Sequence, residues 1–599
     1  MYVVATAGHV DHGKSTLIRS LTGIEPDRWA EEKRRGLTID LGFAWTTTPS
    51  GADVAFVDVP GHERFLGNML AGLGPAPVVC FVVAADEGWR AQSAEHRDAI
   101  RALGIERGVV AITRADLAPD RVAAVGEQTR HELVDTGLRD APIVPVSART
   151  GDGVVELVTA LDEVLSSAPK PLLDSRIRLW VDRSFTIKGA GTVVTGTLAA
   201  GALSTGDRLS LLGAHEPVEV SVRGLQQHGG SVDTVTPVSR VAVNLRGVPA
   251  DAVHRGDALV TPRAWQLARS VDVRRGSGPA LSDLPEQTTV HLGTLAVPAR
   301  LRPFGENAAR VTFEQAVPLA VRDRMILRDS GSRQLAGVQA IDVDPPALAR
   351  RGAGRRRGEQ LATLVSGGDV LVEVTRRRAV SRAYLEHLGV AVPETPTAGV
   401  VVRGDWLIDE GAFAEWASAL RDTVTADKSR NPLSAGLSRG AAIDALELPD
   451  PALLDVVAAA AGVTQQDAAL THAGDADDLG PVESAVTTLE NRLRVSPFAA
   501  PEADELAALG LDNRALAAAE RVGRLIRLRD GIVLLPTAPA LAMRELSRLP
   551  EVFTTSDARV ALGTTRRVAI PLLEHLDERG WTRRVDAGHR TVVRAGVGG

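Results

Sequence analysis

The sequence predicts a multidomain fold: an α/β P-loop domain first, two β-barrel domains next, then a mainly helical arm of tandem winged-helix domains. Three observations predict it. A phosphate-loop motif, Gly8-His9-Val10-Asp11-His12-Gly13-Lys14-Ser15, joins a strand to a helical stretch. From about residue 174 to 345 the chain changes to short alternating segments cut by Gly, Pro and Asp, the texture of barrels rather than of βαβ units. Beyond residue 352 it turns Ala-, Leu-, Glu- and Arg-rich, with a small hairpin signal recurring roughly every 60 residues.

Residues 1–170 form the first expected domain. Tyr2-Val3-Val4-Ala5-Thr6, Val54-Ala55-Phe56-Val57, Val78 to Val83, Gly108 to Ile112 and Ile143-Val144-Pro145-Val146 read as strands. Amphipathic stretches lie between them, so the sheet is expected to be parallel. Pro169, Lys170 and Pro171 punctuate its end. Barrels are expected at 174–262 and 263–345, divided near Thr261-Pro262. In the first, Ile177, Leu179 and Val181 alternate with Arg178 and Trp180. Pro345-Pro346 and the run Arg350 to Gly358 read as a linker. Winged helices are expected at 352–420, 421–481, 482–540 and 541–599. Their hairpin signals lie at 400–408, at 523–535 around Asp530-Gly531, and at 580–593; the 421–481 segment carries none of its own.

Length and charge bound the rest. The 599 residues correspond to about three to six domains. A net charge of −7 means that any nucleic-acid surface must be local. The one cysteine, Cys80, excludes an intramolecular disulfide framework and a multi-Cys zinc site, and fits a reducing compartment. The N-terminus has no secretory signal pattern, and the apolar run Val78 to Ala85 is too short to span a membrane. The expectation is a cytoplasmic protein, monomeric and without a membrane partner.

The motif Gly8 to Ser15 satisfies G-x-x-x-x-G-K-[ST]. Its backbone N–H groups, through Thr16 at the start of the helix, would surround phosphate oxygens. Lys14 would neutralise the β- and γ-phosphates and the Ser15 hydroxyl would ligate Mg²⁺. Asp58-Val59-Pro60-Gly61 follows an apolar strand; Asp58 suits a water-mediated Mg²⁺ role and the Gly61 N–H suits the γ-phosphate. In Arg35-Gly36-Leu37-Thr38-Ile39, Thr38 can complete the Mg²⁺ shell and order its loop only while the γ-phosphate is present. Thr113-Arg114-Ala115-Asp116 stands where GTP-binding proteins carry N-K-x-D. The Asp116 carboxylate can accept both N1–H and N2–H₂ of guanine, which adenine cannot match. Thr113 and Arg114 depart from the usual Asn and Lys, which leaves their contacts open. Ser147-Ala148, after the last strand, is placed to offer a backbone N–H to guanine O6. The first domain therefore reads as an α/β P-loop GTPase domain using GTP and GDP.

These motifs, with Val59-Pro60-Gly61-His62-Glu63 and Val83-Ala84-Ala85-Asp86-Glu87-Gly88, resemble the translational GTPases of the elongation factor Tu class. The resemblance implies that His62 positions the attacking water once the ribosome engages. It also implies that Val10 and Ile39 form a hydrophobic gate holding His62 away at rest. Asp182-Arg183-Ser184-Phe185 and Asn244-Leu245-Arg246-Gly247-Val248 resemble a subfamily, the selenocysteine-specific elongation factors. There, charged residues surround the aminoacyl group, which points to Asp182, Arg183 and Arg246 as a selenocysteinyl pocket. By themselves these residues read rather as solvated barrel loops, and only the resemblance points to a pocket.

Residues 541–599 hold ten Arg against seven acidic residues. Arg566 and Arg567 lie at a helix start, and Arg583, Arg584 and Arg590 on the next hairpin, which suits phosphate contacts on an RNA stem or a solvated surface. Thr564-Thr565-Arg566-Arg567 with Gly580-Trp581-Thr582-Arg583-Arg584 resembles the last winged helix of that subfamily. This implies binding of the selenocysteine insertion hairpin of an mRNA, beside delivery of selenocysteinyl-tRNA to the ribosome at UGA. Two alternatives stay open: a general translational GTPase with an unrelated appendage, and the GTPase subunit of a sulfate-activating enzyme.

Overall fold

The computed structural model describes residues 2–26, 38–169, 172–187, 189, 191–213, 216–329, 331, 334–364, 368–395, 397–466, 469–473 and 478–593. Arg35, Gly36, Leu37, Lys170 and Pro171 lie outside them. The chain divides into two compact units, Met1–Glu373 with Val380–Thr397, and Val374–Ala379 with Ala398–Gly599.

The first unit opens with a six-stranded sheet of β1 (Tyr2–Ala7), β2 (Gly42–Thr47), β3 (Asp53–Asp58), β4 (Val78–Ala84), β5 (Arg107–Thr113) and β6 (Ile143–Pro145), in the order β2-β3-β1-β4-β5-β6. Helices α1 (Lys14–Thr22), α2 (Leu66–Leu73), α3 (Ala91–Leu103), α4 (Val122–Glu132) and α5 (Val154–Ser166) accompany it. All pairings are parallel except β2 with β3. The antiparallel β2 is an addition to the expected strands. Both faces of β1 are covered, Val3 and Ala5 belonging to one core and Val4 to the other. This double burial explains the near-continuous apolar runs of the parallel strands.

Two barrels follow. In the first, the strands 208–212, 258–260, 178–187, 191–198, 239–246 and 218–227 are neighbours in that order, and pairing of 208–212 with 218–227 closes the ring. The second is closed by strands between Gln266 and Asp342.

The expected linker holds from Pro345 to Gly352, which carry no helix or strand, but not beyond. Ala353–Thr363 is a helix, and Arg357 within it is only 4% exposed. Its Nε donates to Asp272 at 2.7 Å and its Nη2 to Asp342, while Arg310 Nε also donates to Asp272 at 2.7 Å. An arginine run reads as solvated because nothing nearby in sequence can neutralise it. Here the partners are barrel carboxylates, and the paired charges make burial tolerable.

In the second unit, hairpins Val400–Arg403/Trp406–Asp409 and Val463–Gln466/Ala469–His472 flank helices Glu410–Arg430, Arg439–Leu446 and Leu453–Ala461 around one core. The hairpin at 463–472 lies where the sequence carried no such signal. The expected boundary at 420/421 falls inside the continuous 21-residue helix Glu410–Arg430. A second core joins the elements from Glu483 to Val592, including hairpins 526–534 and 582–592. Thr554 caps helix Thr555–Ala561, its hydroxyl accepting from the Asp557 N–H while the Asp557 carboxylate accepts from Thr554 N–H, a reciprocal box. Among the described residues no helix is long and apolar enough to cross a membrane.

Candidate functional site: a nucleotide cavity and an arginine-lined cavity

The phosphate loop sits at the C-terminal end of β1, where parallel strands leave a crevice. A side chain at Gly8 would clash with the Val82 carbonyl, so only glycine fits, and Gly13 adopts the left-handed region with φ 82°. Around the loop lies a cavity of about 790 Å³ lined by Val10, Asp11, Gly13, Lys14, Ser15, Thr16, Thr38, Gly61, Thr113, Arg114, Asp116, Ser147 and Ala148. Most of the residues expected to hold the nucleotide are therefore brought together, although they span 139 positions (10 to 148) of the sequence.

Lys14 Nζ donates to the carbonyls of Gly8 at 3.0 Å and His9 at 2.8 Å. The Ser15 hydroxyl donates to Asp58 at 2.6 Å and lies 3.0 Å from the Thr38 hydroxyl. The other Asp58 oxygen accepts from Thr6 at 2.7 Å. A side chain at Gly61 would come within 2.5 Å of Lys14 Nζ and the Val10 amide, so its backbone approaches the loop closely.

His12 is fully buried beneath the loop and does not line the cavity; burial lowers its imidazole to about 3. Behind it, the Gly8 N–H donates to His96 Nδ1 at 3.2 Å, and the Val10 N–H donates to Gln92 Oε1 at 3.0 Å, both from α3. His96 is likewise held well below its ordinary value by burial. These imidazoles are neutral at pH 7, so Lys14, not a histidine of the motif, brings positive charge from within Gly8 to Ser15.

The departures from N-K-x-D have geometric substitutes. The Thr113 hydroxyl donates to the His12 carbonyl at 2.7 Å, tethering β5 to the phosphate loop. The Arg114 guanidinium reaches Asp86 at 2.9 Å and Glu87 at 3.1 Å and also meets the Asp11 carbonyl. Asp116 is held by Arg149 at 2.7 Å; hydrogen bonds from Ser147 and Arg149 keep its carboxyl below the usual carboxylate range. Arg149 was not anticipated; its position directly after Ser147-Ala148 was the available signal.

His62 does not line the nucleotide cavity. Its Nδ1 accepts from the Arg64 N–H at 3.2 Å, and its ring lies 5.9 Å from that of Phe65. The Ile39 carbonyl accepts from Asn68 Nδ2 at 2.8 Å.

A second, smaller cavity of about 170 Å³ lies between the P-loop domain and the first barrel, with Phe43, Trp45, Arg183, His228 and Arg240 in its wall. The strand at 178–187 has a register irregularity at Asp182, between Val181 and Arg183, the kind of bulge that re-aims a side chain. Asp182 accepts from the Thr195 hydroxyl at 2.7 Å and from Arg240 Nη2 at 2.8 Å. Arg183 donates to Asp40 at 2.9 Å and to the Leu41 carbonyl. Both guanidiniums lie over the Phe43 ring, Arg240 at 3.9 Å and Arg183 at 4.9 Å from its centroid.

Arg246 is not part of this group. It is exposed and lines a separate cavity of about 670 Å³ with Arg223. The arginine that meets Asp182 is Arg240, which no motif in the sequence marks.

The C-terminal arginines also divide. Arg567 donates to the carbonyls of Ala500 at 3.0 Å and Pro501 at 3.1 Å, and Arg590 is 6% exposed and bound to Asp577 at 2.9 Å. Both hold the arm together; Arg590 is buried, while Arg567 stays about a third exposed, at 33%. Arg566, Arg583 and Arg584 are exposed, the last bonded to the Asp586 and Ala587 carbonyls of its own hairpin.

Fold and nucleotide cavity together define a translational GTPase of the elongation factor Tu class. Residues 1–167 match the model of the elongation factor Tu GTP binding domain and 191–260 that of its domain 2. Residues 280–347 match the β-barrel domain of selenocysteine-specific elongation factor, and 544–591 the elongation factor SelB winged helix. The selenocysteine-specific elongation factor of Escherichia coli (strain K12) is 35% identical over 438 residues, covering 70% of this chain and 69% of that one. That of Desulfomicrobium baculatum is 38% identical over 381 residues, covering 61% and 58%. The crystal structure of bacterial selenocysteine-specific elongation factor EF-Sec shares the fold, with a TM-score of 0.75 at 24% identity over 99% of this chain and 100% of that one. The chain belongs to the selenocysteine-specific elongation factors, the SelB family. Within its C-terminal arm, residues 544–591 carry that family's winged helix.

Proposed function

We propose that the chain, with GTP bound, carries selenocysteinyl-tRNA to ribosomes at UGA codons while its winged helices hold the selenocysteine insertion hairpin of the mRNA. The observation that carries this reading is the small cavity at Phe43, with Arg183 and Arg240 fixed by Asp40 and Asp182. A selenol is mostly ionised at neutral pH and a serine hydroxyl is not. Charge-assisted hydrogen bonds from guanidinium N–H groups favour the anion. A cavity of this size admits a small aminoacyl group and little more.

GTP would occupy the larger cavity, its guanine read by Asp116 and the Ser147-Ala148 turn, its phosphates held by residues 10–16 and Gly61. The Ser15 and Thr38 hydroxyls with Asp58 are a set of hard oxygen donors, which suits Mg²⁺. Ser15 and Thr38 directly, and Asp58 through water, would hold it. When bound, the metal neutralises charge on phosphoryl oxygens. Ribosome contact would turn His62 away from the Arg64 amide and past Val10 and Ile39 to orient the attacking water.

Loss of the γ-phosphate would release the segment around Thr38. That segment continues into Asp40 and Leu41, which bind Arg183, and Arg255 reaches Asp40 at 3.4 Å and Asn68 at 3.0 Å. Its release would therefore loosen the wall of the aminoacyl cavity and let the tRNA go. Arg566, Arg583 and Arg584 would contact hairpin phosphates, and this tether raises the local concentration of the carrier at the codon. The test is competition between seryl- and selenocysteinyl-tRNA in GTP: strong preference for the selenium form supports the reading, and equal binding overturns it.

A further inference from the structure

Resting on that reading, we infer that His228 is a further specificity-determining residue of the aminoacyl cavity, its imidazole supplying a hydrogen bond to the selenium anion beside Arg183 and Arg240. Three observations place it there. His228 lines the cavity that Arg183, Arg240 and Phe43 line. Its Nε2 is shut off from solvent and has no hydrogen-bond partner among the described residues. Its ring is stacked on Trp45, centroids 5.7 Å apart and planes 19° from parallel.

A stacking surface alone would be served by any aromatic side chain. A buried ring nitrogen without a partner is a different matter, because it has lost its water and gained nothing in exchange. An anion in the adjoining cavity supplies the missing partner, since an imidazole nitrogen bearing hydrogen donates. The backbone underlines the placement: His228 has φ 53°, a left-handed conformation at the turn after strand 218–227 that costs a non-glycine residue strain. Trp45 belongs to β2, the strand continuing the segment that carries Thr38, so the nucleotide-sensing side of the molecule steadies the ring. A serine hydroxyl, being neutral, would gain less from the same nitrogen.

The experiment uses the full-length protein with GTP and measures protection of the aminoacyl ester of selenocysteinyl- and seryl-tRNA. His228→Phe keeps a ring against Trp45 and removes the nitrogen; His228→Leu removes both, and His228→Gln restores a donor. The expected result is a loss of roughly tenfold or more in selenocysteinyl-tRNA affinity for Phe and Leu. Seryl-tRNA affinity should fall much less, GTP affinity should be unchanged, and Gln should recover part of the loss. If wild type discriminates and the Phe and Leu variants discriminate equally well, the role of His228 is overturned while the functional reading stands. If wild type does not discriminate, the functional reading itself falls. A parallel loss for both tRNAs, unrelieved by Gln, would mark His228 as structural and would also overturn the inference.

Discussion

Arg240→Lys separates charge from geometry at the aminoacyl cavity. The guanidinium makes two contacts with Asp182 and lies 3.9 Å from the centroid of the Phe43 ring. A lysine ammonium keeps the charge but can retain only one of those contacts in that place, and it stacks poorly. The loss is one charge-assisted hydrogen bond, about 1.5–3 kcal/mol, plus a stacking contribution of about 0.5–1 kcal/mol. Solvent relieves little of it, because the two side chains are 14% and 5% exposed. Divided between folding and binding, this predicts unfolding stability lower by about 2 kcal/mol and selenocysteinyl-tRNA affinity lower by about tenfold. Denaturant melts would read the first and protection of the aminoacyl ester in GTP the second. GTP affinity should stay as in wild type. Unchanged selenocysteinyl-tRNA binding, or an equal fall for seryl-tRNA, would refute the reasoning.

Other outcomes follow from the nucleotide cavity and the arm. Asp116→Asn should cost roughly 10- to 100-fold in GTP affinity and shift preference towards xanthine nucleotides, read by nucleotide competition; retained guanine preference would speak against the Asp116 contact. His62→Ala should bind GTP normally and lose ribosome-stimulated hydrolysis, measured as phosphate release with and without ribosomes. Arg566→Glu with Arg583→Glu should weaken binding of the insertion hairpin and reduce its salt slope by about two, leaving GTP binding intact. Hairpin affinity that ignores both changes would remove these residues from the interface.

Contiguous motifs were the legible part of the site. Gly8 to Ser15, Asp58 to Gly61 and Ser147-Ala148 are each one continuous stretch at the end of a strand, where local backbone geometry dictates residue type. Contacts that depend on strand register were not legible. Arg240 and Arg246 lie on one strand, an even number of residues apart, so both project from the same face. Which of them meets Asp182 depends on how strands 178–187 and 239–246 align on the strand between them. Thr197 pairs with Trp180 and Arg240, and Thr195 with Arg183 and Ala242. That alignment and the irregularity at Asp182 select Arg240, and neither is written in either strand alone. The same limit applied to Arg357, whose partners Asp272 and Asp342 come from distant barrel strands. It applied again to Arg590, whose charge suggested an outward role but whose guanidinium is buried against Asp577.

The central claim, that the cavity beside Phe43 recognises an anion, meets its most direct test in a sulfur probe. Cysteine attached to the same tRNA through a stable amide carries a thiol that ionises near pH 8.5. Affinity for this tRNA in GTP, measured from pH 6.5 to 9 beside its serine counterpart, should climb as the thiol ionises while the serine form stays flat. A cysteine profile as flat as that of serine would contradict the account.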